Sequence, residues 1–184
     1  MEFIGIIPAR YESSRFPGKP LVDIHGKSMI QRVYEQCLKA KLNRVVVATD
    51  DTRIFEHVKD FEGEVVMTSN SHKSGTDRIS EAAKTLQLSE DVIILNIQGD
   101  EPFIDPEDIN TVAACFTDKS TQIATLVKVI KEVDVLLNCN SPKVALGLRG
   151  QALYFSREAI PHLRGVEKKD WLSKQTYYQH VGIY

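Results

Sequence analysis

Three cations follow an apolar segment near the start of the chain. Residues 3–7 have the composition of a buried strand, and Arg10, Arg15 and Lys19 follow them in a loop that contains a Pro-Gly turn. In an open α/β sheet, ligands bind at the carboxyl ends of the strands, where cations and exposed backbone N–H groups hold phosphates. We therefore predict a polyphosphate site in this loop. The alternative is an Arg-rich surface loop that binds nothing. The Walker spacing and the Gly-x-Gly-x-x-Gly fingerprint are both missing, which argues against a P-loop NTPase and an NAD dehydrogenase.

Two adjacent acids stand at the end of a second apolar strand, predicted over residues 91–97. The strand is followed by Gln98, Gly99, Asp100 and Glu101. Neighbouring side chains of an extended chain point in different directions, so we expect only Asp100 to reach a metal ion. Mg²⁺ favours carboxylate oxygens together with waters and substrate phosphates. Gly99 would allow a ligand to approach the backbone. The alternative is an acidic turn without a metal.

Apolar runs and helical spacings alternate along most of the chain. Residues 44–50 form a β-branched run of the kind found in parallel strands that are buried on both faces. Ser28 precedes a helical pattern, and residues 122–127 read as a further strand after several such alternations. This order predicts an α/β fold, a mostly parallel open sheet with helices on both faces, within one domain over residues 1–184.

Two polar segments precede predicted helices. Asp50 and Asp51 follow the second strand, and we interpret them as an ordinary helix N-cap. The segment from Ser74 to Arg78 places hydroxyls and a glycine at another helix start, which fits either a cap or a ligand contact.

Composition limits the classes of function. The net charge is −2, so any affinity for phosphates must come from local clusters, and we expect no nucleic acid as a partner. No apolar stretch is long enough to span a bilayer, so we expect no membrane partner. The three cysteines show no metal-ligand spacing, which favours a reducing cytoplasm. Cys37 and Cys115 fall in helical apolar patterns, and we expect both to be small buried hydrophobes.

Several segments, in order along the whole chain, closely resemble the 3-deoxy-manno-octulosonate cytidylyltransferase family. They are residues 7–27, 74–78, 96–102, 152–157 and 180–184. The resemblance implies a nucleotide-diphospho-sugar transferase-like, Rossmann-type fold and a Mg²⁺-dependent transfer of CMP from CTP to the sugar acid KDO, with release of pyrophosphate, for lipopolysaccharide biosynthesis. It also implies a homodimer. Members of the family continue beyond the segment at 180–184, so we expect this chain to lack the family's C-terminal part, which carries a second metal-binding Asp.

The resemblance also implies roles for particular residues. The catalytic residues would be Arg10, Lys19 and Asp100, with Asp100 as the metal ligand. The nucleotide contacts would be Ala9, Arg10, Ser14, Arg15, Lys19, Ser74, Gly75, Arg78 and Gln98. Backbone carbonyls near Ala9 or Ser74 could read the 4-amino group of cytosine, which is a donor where uracil has an acceptor.

The sugar contacts implied by the resemblance are Arg157, His180 and Tyr184. From the residues alone, an isolated His or Tyr at a strand end is more often structural. Two alternatives remain open: a cytidylyltransferase for another acid sugar such as neuraminate, and a nucleotide-binding protein without turnover.

Overall fold

The computed structural model describes residues 1–12 and 16–184. Contacts between residues divide the described chain into two compact units. The first comprises Met1–Ala124 with Ile183–Tyr184, and the second comprises Thr125–Gly182. Each is described by itself below, and the expectation of a single domain stays a prediction.

The first unit is built on a four-stranded parallel sheet with the strand order β5-β4-β1-β6. Its elements, in chain order, are β1 (Phe3–Ala9), β2 (Asp23–Ile24), β3 (Lys27–Ser28), α1 (Met29–Cys37), β4 (Arg44–Thr49), α2 (Thr52–Asp60), β5 (Val65–Met67), α3 (Gly75–Thr85), β6 (Ile93–Asn96) and α4 (Pro106–Ala114). Strands β2 and β3 form a separate antiparallel hairpin. The α/β class with a parallel sheet flanked by helices is confirmed.

The central strand β1 is buried because both of its faces are apolar. On one face, Ile4 and Ile6 pack with Ile79 and Ala82 of α3 in a cluster that includes residues from β4 and β5. Ile7, on the opposite face, is fully buried as well. Burial on both faces fixes the strand, and this places the loop that follows Ala9 at the carboxyl edge of the sheet.

The first turns of the four described helices of this unit are fixed by side chains that accept backbone hydrogen bonds, from Ser28, Asp51, Ser74 and Asp105. Ser28 Oγ accepts from Gln31 at 3.2 Å, which confirms the predicted cap of α1. Asp51 Oδ1 accepts from the Arg53 N–H at 2.9 Å, which confirms the predicted cap of α2. Ser74 begins α3 in the same way.

The second unit contains an antiparallel sheet with the strand order β7-β10-β8-β9. Its elements are β7 (Leu126–Val129), α5 (Val133–Leu137), β8 (Lys143–Leu146), β9 (Ala152–Ser156), α6 (Trp171–Lys174) and β10 (Tyr178–Val181). A small core of Ile130, Leu136, Trp171 and Tyr177 packs within this unit.

Two expectations from the sequence are wrong. The strand expected at 122–127 lies at Leu126–Val129 and pairs antiparallel with β10, outside the parallel sheet. An apolar run carries no information about strand direction, because the direction depends on a partner about fifty residues later. Cys115 is exposed, because α4 ends at Ala114 and Cys115 begins a short 3₁₀ turn. Cys37 is buried as expected.

Candidate active site

A cavity of about 560 Å³ lies at the carboxyl ends of β1 and β6, which are neighbours in the parallel sheet. Three short segments line it: the end of β1, the start of the next turn, and the loop after β6. The lining residues are Pro8, Ala9, Arg10, Phe16, Lys19, Pro20, Gln98, Gly99 and Asp100. The structure therefore brings together the two loops that the sequence singled out.

An ion pair joins these two loops at the cavity wall. Lys19 Nζ donates to Asp100 Oδ2 at 2.5 Å, and the two side chains are 36% and 50% exposed. Within the described chain, Lys19 occupies only Oδ2, and Oδ1 has no hydrogen-bond donor. The cation and the carboxylate thus share one wall, and the pair remains accessible to solvent.

The Pro-Gly turn sets the position of Lys19. Gly18 has φ of +73°, and its N–H donates to the Tyr11 carbonyl at 2.8 Å. A Cβ at Gly18 would lie about 3.1 Å from the Tyr11 ring, in addition to the strain of a positive φ. Glycine is therefore required here, and the 3₁₀ turn Lys19–Leu21 that follows presents Lys19 to the cavity.

Gly99 lines the cavity, so the predicted approach of a ligand to its backbone stays a prediction, and the structure shows a further reason for a glycine here. A Cβ at this position would lie 3.1 Å from the Pro8 carbonyl oxygen, because the loop after β6 passes close to the end of β1. The missing side chain lets the two loops approach each other. Asp100 is thereby held on the same rim as Arg10.

A second, smaller cavity of about 190 Å³ lies along the same rim. It is lined by the start of α3, by the segment before α3, and by some of the residues that also line the first cavity. The residues common to both cavities are Pro8, Ala9, Arg10 and Gln98. The residues found only in the second are His72, Lys73, Ser74, Gly75 and Arg78. All seven predicted nucleotide contacts within the described chain therefore lie along one continuous edge.

Arg78 is almost fully buried and already has two partners. Its Nη2 donates to Asp50 Oδ2 at 2.6 Å, and its Nη1 donates to Thr68 Oγ1 at 2.6 Å. The pair connects the end of β4 with the first turn of α3. Sequence reasoning missed this role of Asp50, because Asp50 and Asp51 were read together as one cap.

The start of α3 is held from several directions. Ser74 Oγ accepts from the Asp77 N–H at 3.1 Å and donates to Asp77 Oδ2 at 2.7 Å. A Cβ at Gly75 would lie 3.3 Å from Pro8 Cγ, so the helix begins in close contact with the end of β1. The Ser74 side chain therefore acts as a cap in this structure, and its proposed contact with a nucleotide stays a prediction.

The residues predicted to bind a sugar occur in both units. In the second unit, Arg157 Nη1 donates to the Cys139 carbonyl at 3.1 Å. His180 Nε2 lies 2.8 Å from Thr125 Oγ1, and its ring meets the Phe155 ring edge-on. Burial lowers the pKa of His180, which favours the neutral ring. In the first unit, the hydroxyl of Tyr184 lies 3.2 Å from that of Thr76.

Two of the predicted nucleotide contacts, Ser14 and Arg15, lie outside the described residues.

Among the described residues, no cluster of three or more His, Cys, Asp or Glu side chains could hold a metal ion. Asp100 nevertheless fits Mg²⁺, which takes one or two carboxylates and completes its coordination with waters and substrate phosphates. Within residues 1–12 and 16–184, no helix has the length and apolar character needed to cross a bilayer.

Comparison with known proteins identifies the family of this chain. The model of the family described as cytidylyltransferase matches residues 4–184. Two relatives named 3-deoxy-manno-octulosonate cytidylyltransferase, from Parabacteroides distasonis and Bacteroides thetaiotaomicron, are 57% and 56% identical. In each case the match covers all of this chain and 74% of the relative.

Solved structures give the same result. A structure of CMP:2-keto-3-deoxy-manno-octonic acid synthetase complexed with CTP matches all of this chain and 73% of its own, with a TM-score of 0.89 and 43% identity. A 4-diphosphocytidyl-2C-methyl-D-erythritol synthase, at 14% identity and a TM-score of 0.60, shares the fold alone. Fold and site together define a nucleotidyltransferase. More specifically, the chain belongs to the 3-deoxy-manno-octulosonate cytidylyltransferase family of cytidylyltransferases.

Proposed function

We propose that this protein transfers CMP from CTP to KDO and releases pyrophosphate. The single observation that carries the proposal is the 560 Å³ cavity in which Arg10, Lys19 and Asp100 meet at the carboxyl ends of two adjacent parallel strands. This is the location where open α/β sheets bind their ligands. The names of the relatives, at 56–57% identity, support CTP and KDO as the substrates.

The two cavities suggest how CTP lies along the rim. The triphosphate occupies the larger cavity, where Arg10 and Lys19 supply positive charge to a protein whose net charge is only −2. The base occupies the smaller cavity beside Ser74 and Gly75, and the backbone carbonyls near Ala9 or Ser74 accept from the 4-amino group of cytosine. Gln98 lines both cavities, so it contacts the ribose that joins base and triphosphate.

Asp100 would hold Mg²⁺ through Oδ1, with the remaining coordination positions taken by waters and phosphate oxygens. When bound, the ion would neutralise phosphate charge and lower the pKa of the attacking hydroxyl. The Lys19 ammonium, at 2.5 Å from Oδ2, orients the carboxylate before CTP binds. Lys19 and Asp100 thus lie side by side where the reacting phosphate would bind.

The reaction needs no nucleophile from the protein. The anomeric hydroxyl of KDO loses its proton to solvent and attacks the α-phosphorus of CTP in line. The bond from the α-phosphorus to the bridging oxygen breaks, and that oxygen leaves as part of pyrophosphate. Arg10 and Lys19 stabilise the negative charge that develops on the leaving pyrophosphate, while the walls of the cavity hold the reactants in line. Transfers of this kind depend almost entirely on positioning and electrostatic stabilisation.

The remaining parts of the proposal concern the sugar and the biological setting. Arg157 binds the carboxylate of the sugar acid, and His180 and Tyr184 contact its hydroxyls. The protein acts as a homodimer in the cytoplasm, in lipopolysaccharide biosynthesis. The three free thiols of the chain are consistent with a reducing compartment. Light scattering on a gel-filtered sample measures the oligomeric state.

The test of the function is a pyrophosphate-release assay with CTP, Mg²⁺ and either KDO or neuraminate. We expect release with KDO, and we expect Asp100→Asn to lower the rate by about a hundredfold, the scale of losing one key electrostatic stabiliser. Glu101→Gln is the matched control, because this neighbouring acid is exposed and does not line the cavity. Near-normal turnover of Asp100→Asn would contradict the role of Asp100.

The same assay separates the alternative functions. Turnover with neuraminate alone would assign the chain to the neuraminate enzymes. CTP binding by calorimetry without pyrophosphate release from either sugar would indicate a nucleotide-binding protein without turnover.

A further inference from the structure

A lysine in the second unit is completely buried, and no acidic side chain among the described residues forms an ion pair with it. Lys143, the first residue of β8, has 0% of its surface exposed. Its Nζ donates to the Asn138 carbonyl at 2.8 Å. Among the described residues, no carboxylate lies within ion-pairing distance of the ammonium. A buried charge of this kind is costly, and an apolar side chain of similar size would fill the same space without that cost.

The hydrogen bond of Lys143 lies next to that of Arg157. Lys143 donates to the carbonyl of Asn138, and Arg157 Nη1 donates to the carbonyl of the following residue, Cys139, at 3.1 Å. The sheet register explains the proximity, because Lys143 pairs with Ser156, the residue before Arg157. Two cations therefore hold two consecutive carbonyls of one turn.

The two cations differ in what else they can reach. Lys143 is inaccessible to solvent, so no ligand contacts its ammonium. Arg157 is exposed, and within the described chain its guanidinium makes only the hydrogen bond to Cys139. A guanidinium has five N–H donors, so an edge remains that can bind a carboxylate through two parallel hydrogen bonds.

We propose that Lys143 is a positioning residue for the sugar acid: it fixes the turn at Asn138 and Cys139, whose carbonyl orients Arg157 toward the substrate carboxylate. The inference rests on the proposed function, in which Arg157 binds that carboxylate. It adds a residue that makes no contact with the substrate and acts only through Arg157.

Electrostatics agree with this arrangement. Burial is the main influence on Lys143 and lowers its pKa; the positive charge of Arg157 acts in the same direction, and the negative charge of Glu158 opposes both. Two cations placed on adjacent carbonyls repel each other. An anionic ligand at the exposed one relieves that repulsion.

The test is a double-mutant cycle in which the KM for KDO and the KM for CTP are measured separately for each variant. Lys143→Met keeps an unbranched side chain, shorter by one heavy atom, and removes the charge and the donor. We expect it to raise the KM for KDO by about tenfold, the scale of one lost charged hydrogen bond, and to leave the KM for CTP unchanged. Folding stability should be unchanged or higher, because a buried charge has been replaced by an apolar group. Lys128→Met, at an exposed lysine of β7, is the matched control.

Coupling to Arg157 distinguishes positioning from a structural role. We expect the double variant Lys143→Met/Arg157→Ala to be no worse than Arg157→Ala alone, because Lys143 acts through Arg157. The inference is overturned if the effects of the two substitutions on the KM for KDO multiply, or if Lys143→Met leaves that KM unchanged. Neither result changes the proposed role of Arg157. An unchanged KM for KDO in Arg157→Ala overturns the proposed role of Arg157, and the inference with it. Lys143→Gln, which keeps an N–H donor, replaces the Met variant if that variant fails to fold.

Discussion

The ion pair between Asp50 and Arg78 gives the sharpest prediction about stability. The Arg78 side chain is 4% exposed and the Asp50 side chain 16%, and their charged atoms lie 2.6 Å apart. Removing the Asp50 carboxylate leaves a guanidinium that is nearly excluded from water and that keeps, among the described residues, one hydrogen-bond partner, Thr68. An uncompensated buried charge is among the most destabilising changes that a single substitution can make.

The expected magnitude follows from this burial. We expect Asp50→Ala to lower the free energy of unfolding by about 3–5 kcal/mol, as for other buried pairs broken on one side. With a urea m-value of about 2 kcal/mol per molar, the unfolding midpoint falls by about 1.5–2.5 M. Urea unfolding followed by circular dichroism measures this directly.

Two further variants make the test specific. Glu56→Ala removes an exposed acid from α2 and should change the free energy of unfolding by less than about 0.5 kcal/mol. Asp50→Ala/Arg78→Met removes both charges, and we expect it to recover a large part of the loss. The reasoning is refuted if Asp50→Ala costs less than about 1 kcal/mol, or if the double variant is less stable than Asp50→Ala.

Three other predictions concern the sites and the thiols. Lys19→Ala and Arg10→Ala should each weaken CTP binding in calorimetry and reduce its dependence on salt, with little change in Tm; unchanged affinity in both would exclude the loop as a phosphate site. Burial lowers the pKa of His180 below its ordinary 6.5. The contribution of the neutral His180 ring to the free energy of unfolding is therefore complete above pH 6.5 and is lost as the pH falls through the lowered pKa. An NMR titration midpoint at or above 6.5 would contradict this. Burial raises the pKa of Cys37 to about 12, so a thiol reagent at pH 8 should modify only the two exposed cysteines of the folded protein.

The parallel half of the fold could be predicted because its signals are local. The apolar runs of β1 and β4 are buried on both faces and need no information about distant partners. The antiparallel sheet could not be predicted in the same way. Strand β8 lies in a stretch without clear apolar alternation, and its partners β9 and β10 follow at different distances along the chain.

In the candidate site, as in the fold, some features have local sequence signals and others depend on distant partners. Lys19 and Asp100 were predicted separately, as a loop cation and a strand-end acid, and they meet because β1 and β6 are neighbours in a parallel sheet. The pairing of Asp50 with Arg78 could not be predicted, because the sequence already offered another interpretation for each residue. Asp50 was interpreted as part of a helix N-cap, and Arg78 as a ligand contact. Lys143 gave no signal at all, since a lysine at the start of a strand is ordinarily exposed.

The cations near the cavities are held in two different ways, and this difference indicates which of them act on the nucleotide. Arg78 is fixed by a buried carboxylate and a hydroxyl, so turning it toward a phosphate would leave Asp50 without its charge partner. Lys19 is paired with an exposed carboxylate, and such a pair is weak enough to rearrange when a polyanion arrives. In the proposed reaction, Lys19 would therefore be the cation that moves its charge onto the leaving pyrophosphate, and Arg78 would support the rim beside the proposed position of the base. A CTP affinity that falls in Lys19→Ala without loss of folding stability, and a folding stability that falls in Asp50→Ala, would together establish this division.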